Sequence, residues 1–398
     1  MSFSPERLKA AGVVTAAAAA LAIVIAMGGI HETQADETVR LSIRNVDSPV
    51  TVYDWTKQHC EEETIPDGPA RAFRRIDNKI VVVATDRQNW ILVGDNISDL
   101  KPLCQSVLPI SAYRPRGFGD LWIEAVYTND GQDIVALLSQ DFTPLEKAHG
   151  CQPNGIPGKC WRNNIIAAKS TDMGYSFALD DPKKQTVATL TDHYPPNAAS
   201  RIGVFTTTNI VGKDDAYYMI AWVQSDDPKE RGNCLFRTIT PEQASTWRAW
   251  DGQGFDVDMT RPDGGHLCRF LDQRRLADEV RSLSYSKRFG LWIAVFASRQ
   301  KLKGDESQVP GFYFATSKDL ITWSESSRIM QAPTKARELQ MREMYAYPSL
   351  IDPASGSRNF DTIDGSHAVL FFTVQHLLNG NGTLNRDLKY VDVEISRD

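Results

Sequence analysis

The chain has 398 residues, of which 42% are hydrophobic and 24% are charged, so it can bury a sizeable core without a metal or a partner. It carries 44 Lys and Arg against 50 Asp and Glu, which gives a formal net charge of -6. This balance argues against a nucleic-acid partner, because such proteins usually carry a clustered basic excess, and no nucleic-acid-binding motif is found.

The N-terminal segment has the pattern of an export signal. Arg7 and Lys9 precede an apolar run over residues 10–30, and Ala35 ends a small-residue segment suited to cleavage. The run is long for a signal peptide, so an uncleaved membrane anchor is the alternative. We predict a signal peptide or signal anchor over residues 1–35 and an exported protein, periplasmic or secreted, that meets a membrane only through this segment.

The six cysteines indicate an oxidising compartment, where an even number at loop positions favours disulfide bonds. Three pairs each bracket one putative strand group or loop, although the sequence alone leaves the pairing open: Cys60 with Cys104, Cys151 with Cys160, and Cys234 with Cys268. A zinc site is the alternative, but it lacks the paired Cys or His spacing that zinc ligands usually show. We therefore predict structural disulfides and no metal or cofactor.

After the leader, short β-branched and aromatic runs alternate with turn residues, and no long stretch keeps a helical period. The runs form five groups, over residues 79–94, 121–169, 201–238, 281–316 and 347–395. Their period of about 70 residues exceeds that of simple propeller repeats, so long loop insertions are expected. We predict an all-β fold, a monomeric five-bladed β-propeller that forms a single domain over residues 36–398.

Two turns sealed by aromatic residues and the lack of an evident linker favour a single ring over the rival architecture, a β-sandwich followed by a second domain. Residues 38–44 are predicted to pair with the last blade, because an open ring exposes sheet edges. Two Ser-x-Asp turns, each followed by an aromatic residue, mark repeated blades. Asp172 and Asp319 in these turns are expected to be structural, and Phe177 and Trp323 are expected to pack in the core.

The channel of a propeller collects side chains from the first strand of each blade, and hydrolysis of a glycosidic bond needs two carboxyl groups. The candidate catalytic residues are Asp67, Glu124 and Asp141. The candidate substrate-binding residues are Arg71, Asn209, Arg237, Glu343 and Tyr347. Each acid also has a structural alternative, because Asp67 suits a turn and Glu124 suits a pair with a buried arginine. Asp141 suits a loop cap.

Other common chemistries find no support in the sequence. His149, His193 and His266 stand alone in predicted loops, where histidines are usually solvated. There is no serine nucleophile elbow, phosphate loop or dinucleotide fingerprint. The commonest esterase, kinase and dehydrogenase functions are therefore not predicted.

Two segments carry a resemblance to a known group, Gly311-Phe-Tyr-Phe-Ala-Thr-Ser-Lys-Asp-Leu-Ile-Thr-Trp323 and Tyr347-Pro-Ser-Leu-Ile-Asp352. They resemble the five-bladed propeller glycoside hydrolases of the arabinanase, xylosidase and fructosidase group, and the Ser-x-Asp turns are similar to those of sialidases. The chain also resembles uncharacterised secreted bacterial propeller proteins in its Ala-Arg-Ala-Phe-Arg segment and its Cys160-Trp161 pair. The resemblance to the hydrolases implies that Asp67 acts as base or nucleophile.

We therefore predict an exported glycan-active protein with an oligosaccharide or polysaccharide as its partner. The first hypothesis is a glycoside hydrolase in which Asp67 is the base or nucleophile and Glu124 or Asp141 is the acid. The second is a non-catalytic carbohydrate-binding propeller. The third is a protein-interaction propeller, which predicts an exposed apolar patch on the loop face instead of a polar pocket.

Overall fold

The computed structural model describes residues 39–44, 48–84, 86–156, 158–179, 181, 184–227, 229–262, 267–334 and 340–397. The predicted leader and His266 lie outside the described residues. Among the described residues, no helix is both long and apolar enough to cross a membrane.

The described chain is built mainly of strands. In the first half they are β1 (Val39–Ile43), β2 (Val50–Tyr53), β3 (Arg71–Arg74), β4 (Ile80–Val83), β5 (Ile91–Gly94), β6 (Lys101–Leu103), β7 (Asp120–Tyr127), β8 (Ile134–Asp141), β9 (Arg162–Ser170), β10 (Thr186–Ala188), β11 (Ile202–Thr207) and β12 (Val211–Lys213). In the second half they are β13 (Ala216–Gln224), β14 (Arg231–Thr238), β15 (Arg248–Ala249), β16 (Val280–Ser286), β17 (Leu291–Gln300), β18 (Val309–Ser317), β19 (Ser327–Gln331), β20 (Glu343–Ile351), β21 (Thr362–Ile363), β22 (His367–Leu378) and β23 (Asn381–Arg397). The helices are short: α1 (Trp55–Gln58), α2 (Ile110–Tyr113), α3 (Thr143–Ala148), and two 3₁₀ turns at Arg114–Arg116 and Ala244–Thr246.

The strand pairing defines five antiparallel blades of four strands each. From the innermost strand outward they are blade I (β3, β4, β5, β6), blade II (β7, β8, β9, β10), blade III (β11, β13, β14, β15), blade IV (β16, β17, β18, β19) and blade V (β20, β22, β23, β1). A short parallel pairing of β11 with β9 joins blades II and III into one continuous sheet. The predicted all-β propeller fold is confirmed, and the strand pairing agrees with five blades.

Five hydrophobic clusters fill the five interfaces between neighbouring blades. In β4, Ile80 and Val82 pack toward blade V, whereas Val81 and Val83 pack toward blade II. Successive strand residues point to opposite faces, and here both faces are buried, so the strand reads as a continuous apolar run. Trp323 packs between blades III and IV, and Phe177 between blades I and II, as predicted.

The N-terminal strand closes the ring. β1 pairs antiparallel with β23 over its whole length, from Val39 opposite Arg397 to Ile43 opposite Val393. The predicted pairing of residues 38–44 with the last blade is confirmed for the described part of that segment. This pairing covers what would otherwise be a free outer edge of blade V.

Asparagine side chains fasten neighbouring blades to one another. The Asn89 amide donates to Leu121 O at 2.9 Å and accepts from Ile123 N at 2.9 Å, which joins blade I to blade II. The Asn209 amide makes the same two bonds with the backbone of Leu283 in blade IV, at 2.7 and 2.9 Å. Each side-chain amide therefore supplies a donor and an acceptor to the backbone of the next blade, as a neighbouring strand would, although the two blades belong to different sheets.

The two Ser-x-Asp turns are held by their own polar side chains. Asp319 Oδ1 accepts from the backbone N–H groups of Ile321 and Thr322, at 2.8 and 2.7 Å. Asp172 Oδ1 accepts from Ser176 N at 2.9 Å in the equivalent turn. Both carboxylates are occupied by turn backbone, which agrees with the structural role predicted for them.

Three disulfides join Cys60 to Cys104, Cys151 to Cys160, and Cys234 to Cys268, as the bracketing pattern predicted. The first connects the loop before β3 to the end of blade I across 44 positions, and the second spans only 9. Cross-links that close longer loops restrict the unfolded chain more.

We expect replacement of Cys60 and Cys104 by Ala to lower the free energy of unfolding by about 1 kcal/mol more than replacement of Cys151 and Cys160, since chain entropy scales with the logarithm of loop length. Urea denaturation of the two double variants measures the difference. An equal loss in both, or a larger loss for the short loop, would contradict this prediction.

Candidate active site

The innermost strands of four blades each carry a β-bulge near the same level of the channel. Register shifts place the bulges at Glu124 in blade II, Thr206 in blade III, Arg281 in blade IV and Tyr347 in blade V. Thr206 and Tyr347 have positive φ angles of 34° and 57°. A bulge redirects a side chain out of the strand's alternation, so the bulges aim polar groups toward the channel instead of the apolar interfaces.

These residues belong to a central cluster, which we define as Asp67, Arg71, Glu124, Arg201, Thr206, Glu279, Arg281, Tyr347 and Arg386. Hydrogen bonds and ion pairs join six members across blades I to IV, namely Arg71, Glu124, Thr206, Arg281, Glu279 and Arg201. Asp67 is joined in the same way to Tyr347 and Arg386, and the Tyr347 ring, 5.5 Å from the Arg281 guanidinium, links the two groups. We take the central cluster as the candidate active site.

Arg71 occupies the hub of the central cluster. Its guanidinium donates to the backbone oxygens of Glu124 (2.7 Å), Thr207 (2.8 Å) and Arg281 (2.8 Å), which lie in blades II, III and IV. It also donates to Ala70 O and, in blade V, to Ser349 Oγ, both at 3.4 Å. All five guanidinium N–H groups are therefore used by the protein. Burial lowers the pKa of Arg71 to about 9.

Asp67 lies in the loop before β3, at the inner end of blade I. Its Oδ1 accepts a 2.9 Å hydrogen bond from the Tyr347 hydroxyl and forms an ion pair with Arg386. The Asp67 side chain keeps 27% of its surface exposed, so solvent or a ligand reaches it. The negative charge of Asp67, together with burial, raises the pKa of Tyr347. The tyrosine therefore stays protonated and donates to the carboxylate.

Glu124 is the most deeply buried acid of the cluster. The residue is 8% exposed, and its Oε2 has no hydrogen-bond partner and almost no accessible surface. Burial raises the pKa of Glu124 to about 7, an effect that Arg281 and Arg71 oppose and that the charge of Asp67 reinforces. A carboxyl group with such a pKa holds its proton near neutral pH and can still release it.

Glu279 joins two arginines. It forms ion pairs with Arg201 and with Arg281, and its side chain is 15% exposed. Arg281 also donates to Thr206 Oγ1 at 3.0 Å and lies over the Tyr347 ring, 5.5 Å from its centroid. One carboxylate thus holds two guanidinium groups in fixed positions at the inner end of blade IV.

Asp141, predicted as a possible acid, belongs to a different network. Its Oδ1 accepts from the backbone N–H and the hydroxyl of Thr143, both at 2.8 Å, at the start of α3. Burial raises the pKa of Asp141 to about 6. Its charged neighbours are Asp120 and Lys147 rather than members of the central cluster, so its contacts correspond to the loop-capping alternative.

Two further predicted binding residues lie outside the central cluster. Arg237 is on β14, the third strand of blade III, where its guanidinium lies 5.7 Å from the centroid of the Phe255 ring. Asn209 spends its amide on the backbone of Leu283. The structure therefore gives both residues packing or blade-joining contacts. Arg71, although central, has its guanidinium donors taken up by the protein.

Glu343 takes part in a separate chain of acids and a histidine on blade V. Its carboxylate lies 3.6 Å from His376 Nδ1, and His376 Nε2 lies 3.0 Å from Asp387 Oδ2. Lys389 Nζ is 3.6 Å from the same Asp387 oxygen. In the described part of the chain, this group forms no hydrogen bond or ion pair with Asp67 or Glu124, so Glu343 is not a member of the central cluster.

The sequence reasoning missed five members of the cluster, namely Arg201, Thr206, Glu279, Arg281 and Arg386. Arg281 carried a signal, because it lies in a strand that was predicted to be innermost, as Glu124 does. The bulges that turn these side chains inward depend on pairing between strands, and a single strand's sequence does not display them.

A cavity of about 240 Å³ lies near the loops of blades II and III, and no residue of the central cluster lines it. Its lining includes Thr189, Ile202, Asp226, Asp258 and Arg261. Ion pairs between residues of different blades are found in the central cluster instead, and we place the candidate site there on chemical grounds. Within the described residues, no group of three or more His, Cys, Asp or Glu side chains is arranged to hold a metal ion.

No family model matches the chain, and no curated protein matches it. Among solved structures, it is similar to a thermostable family-43 glycoside hydrolase, with 12% identity, a TM-score of 0.43, and coverage of 83% of this chain and 88% of that chain. It is also similar to the catalytic domain of a GH62 α-L-arabinofuranosidase from Coprinopsis cinerea, with 11% identity, a TM-score of 0.48, and coverage of 89% of this chain and 97% of that chain. A third similar structure is an N-acetylgalactosamine deacetylase from F. plautii, with 11% identity, a TM-score of 0.48, and coverage of 90% of this chain and 95% of that chain.

Glycoside hydrolases are thus among the solved structures to which the chain is similar, in line with the resemblance that the sequence predicted. The identities are low and the TM-scores are below 0.5, so the blade count stands on the chain's own strand pairing. The roles of individual residues are argued from the contacts described above, because one fold supports many activities.

Proposed function

We propose that this protein is an exported, glycan-active propeller that hydrolyses glycosidic bonds at the central cluster. The observation that carries the proposal is the buried Glu124 carboxyl, whose pKa of about 7 suits a proton donor, beside the partly exposed carboxylate of Asp67. Two carboxyl groups in different states are what glycoside hydrolysis requires.

In the proposed mechanism, Glu124 gives its proton to the leaving glycosidic oxygen as the bond to the anomeric carbon breaks. Asp67 either attacks that carbon or takes a proton from the water that does. The Tyr347 hydroxyl and Arg386 both bind Oδ1 of Asp67, which fixes the carboxylate and leaves Oδ2 for the reaction. Arg71 acts as a positioning residue, because it binds the backbone oxygen of Glu124 rather than a ligand.

Export to the periplasm or the exterior is part of the proposal. Three disulfides support it, since such bonds persist in oxidising compartments. The division into a leader over residues 1–35 and one domain over residues 36–398, and the monomeric state, stay predictions.

The test is a screen of the purified chain against a panel of polysaccharides, with release of reducing ends and thermal shift read on the same samples. The proposal expects both signals for at least one glycan. A thermal shift without new reducing ends would select the second hypothesis, a non-catalytic binding propeller. That alternative draws support from Asp67 Oδ1, which is already occupied by two protein groups.

We expect Asp67→Asn to lower hydrolysis of the glycan found in that screen by at least about 10³-fold, because an amide is neither a base nor a nucleophile. The partly exposed ion pair with Arg386 contributes little to folding, so the free energy of unfolding should fall by no more than about 1 kcal/mol. Asp95→Asn is the control, since Asp95 forms an exposed ion pair with Lys79. Equal losses of folding and activity in Asp67→Asn would show a structural aspartate.

A further inference from the structure

Among the described residues, the arginines of the central cluster outnumber the carboxylates that form ion pairs with them. Arg386 pairs with Asp67 one to one, but Arg201 and Arg281 share the single carboxylate of Glu279. Arg71 makes all its hydrogen bonds to backbone and hydroxyl oxygens, which carry no net charge. Within the described residues, the four guanidinium groups of the cluster therefore have only two carboxylates, those of Asp67 and Glu279, as hydrogen-bonded partners.

The other acids near the cluster offset this excess only at higher pH. Burial raises the pKa of Glu124 to about 7, and it also raises that of Asp86, a neighbour of Asp67, to about 7. Both are largely neutral in mildly acidic solution, and the cluster then holds two more positive than negative charges. A partly buried excess of this kind is costly unless an anion enters and pairs with it.

The two arginines that share Glu279 still have donors to offer. The hydrogen bonds of the two guanidinium groups with described residues use one terminal nitrogen of Arg201 and both terminal nitrogens of Arg281. Among the described residues, no acceptor is found for Nε of either side chain. Their side chains are 22% and 19% exposed, so they border the accessible part of the site. A guanidinium fork matches a carboxylate through two parallel hydrogen bonds.

We infer that the central cluster accepts a glycan unit that carries a carboxylate, a uronic acid, and that Arg201 and Arg281 bind that carboxylate. The inference rests on the proposed action on glycans and adds the class of sugar. Glu279 is the internal counter-ion that keeps the two guanidinium groups in place while the site is empty. A neutral sugar gains nothing from the charge excess and leaves it uncompensated.

The test compares each acidic trisaccharide with its own neutral counterpart. Trigalacturonate, triglucuronate and trimannuronate are titrated against the full mature chain at pH 6 by calorimetry, beside the same sugars after reduction of the carboxyl groups. We expect at least one acidic sugar to bind about ten-fold or more tightly than its reduced form, and the preference to shrink as salt is added. It should also shrink as the pH rises through 7, where Glu124 and Asp86 gain negative charge.

Two variants and a control separate a binding role from a structural one. Arg201→Gln should reduce the preference for the acidic sugar about ten-fold, and Arg201→Lys, which keeps the charge but loses the fork, should reduce it less. Arg274→Gln removes an arginine that is 86% exposed and should leave the preference unchanged. Melting temperatures of the variants show whether they are folded.

Each outcome decides the inference. If the reduced sugars bind as well as the acidic ones, or if none of the three acidic sugars binds, the inference is wrong. An unchanged preference in folded Arg201→Gln overturns the assigned binding residue. Hydrolysis of only neutral glycans would uphold the proposed function and defeat this inference, whereas binding of an acidic sugar without hydrolysis would do the reverse.

Discussion

Replacement of Glu124 by Gln is expected to lower glycan hydrolysis by about 10²- to 10⁴-fold, the usual contribution of a general acid. Gln has nearly the same shape but no proton to give. Arg71 keeps its hydrogen bond in the variant, because it binds the backbone carbonyl oxygen of residue 124 and not its side chain. The measurement is kcat/KM on the glycan identified by the polysaccharide screen.

The pH dependence of hydrolysis is a second test of Glu124 as the proton donor. Because burial raises the pKa of Glu124 to about 7, the proton donor is lost as the pH rises through that value, and wild-type activity should fall there. Residual activity of Glu124→Gln should lack this fall. Retention of more than a tenth of wild-type activity by the variant, with the alkaline fall intact, would assign the acid to another residue.

Loss of the Glu124 proton also lowers the free energy of unfolding. The pKa of Glu124 is higher in the folded chain than its ordinary value near 4.5, so the folded chain holds this proton over a range where the unfolded chain has lost it. The contribution of Glu124 therefore makes the protein less stable as the pH rises from about 4.5 to about 7. Glu124→Gln should remove that part of the pH dependence in urea unfolding.

Replacement of Arg71 by Met is expected to be the most destabilising single change, with a loss of at least about 3 kcal/mol in the free energy of unfolding. The backbone oxygens of Glu124, Thr207 and Arg281 would lose a donor inside the channel. Two of these belong to bulge residues, whose groups are not fully paired by the strand ladder. An apolar side chain relieves the burial of the charge but leaves the three acceptors unsatisfied.

Arg237→Met is the matched control, because Arg237 lies on the third strand of blade III, and its guanidinium has one aromatic contact, at 5.7 Å, with the described residues. We expect it to cost less than about 1 kcal/mol and to leave glycan binding unchanged. Arg71→Lys, which has three donors instead of five, should fall between wild type and Arg71→Met. A Met variant as stable as the control would show that the hub does not hold the blades together.

Much of the architecture could be predicted from the sequence, because the features that define it are local. Paired apolar runs such as β4, the Ser-x-Asp turns and the bracketing cysteines each act within a few residues or one blade. The predicted closure by residues 38–44 needed only the general rule that sheet edges are covered. Helices shorter than seven residues did not disturb the all-β pattern.

The site was harder to predict, since its geometry arises from contacts between blades. The sequence predicts Asp67, Glu124 and Asp141 as acids that face the channel or the loop pocket. Asp67 and Glu124 belong to the central cluster, whereas the Asp141 side chain accepts a hydrogen bond from Thr143. The difference lies in whether the local backbone bulges, and single-sequence patterns do not distinguish Asp141 at the end of β8 from Glu124 inside β7.

The pairing of β1 with β23 sets an order for biosynthesis. Val39 meets Arg397 only after nearly the whole propeller has been made, so the first strand waits without its neighbour while four blades assemble. Until the C-terminal strands arrive, a hydrophobic seam on either side of the missing blade stays open to other chains. Ribosome-bound or C-terminally truncated forms should therefore depend on chaperones far more than the finished ring does.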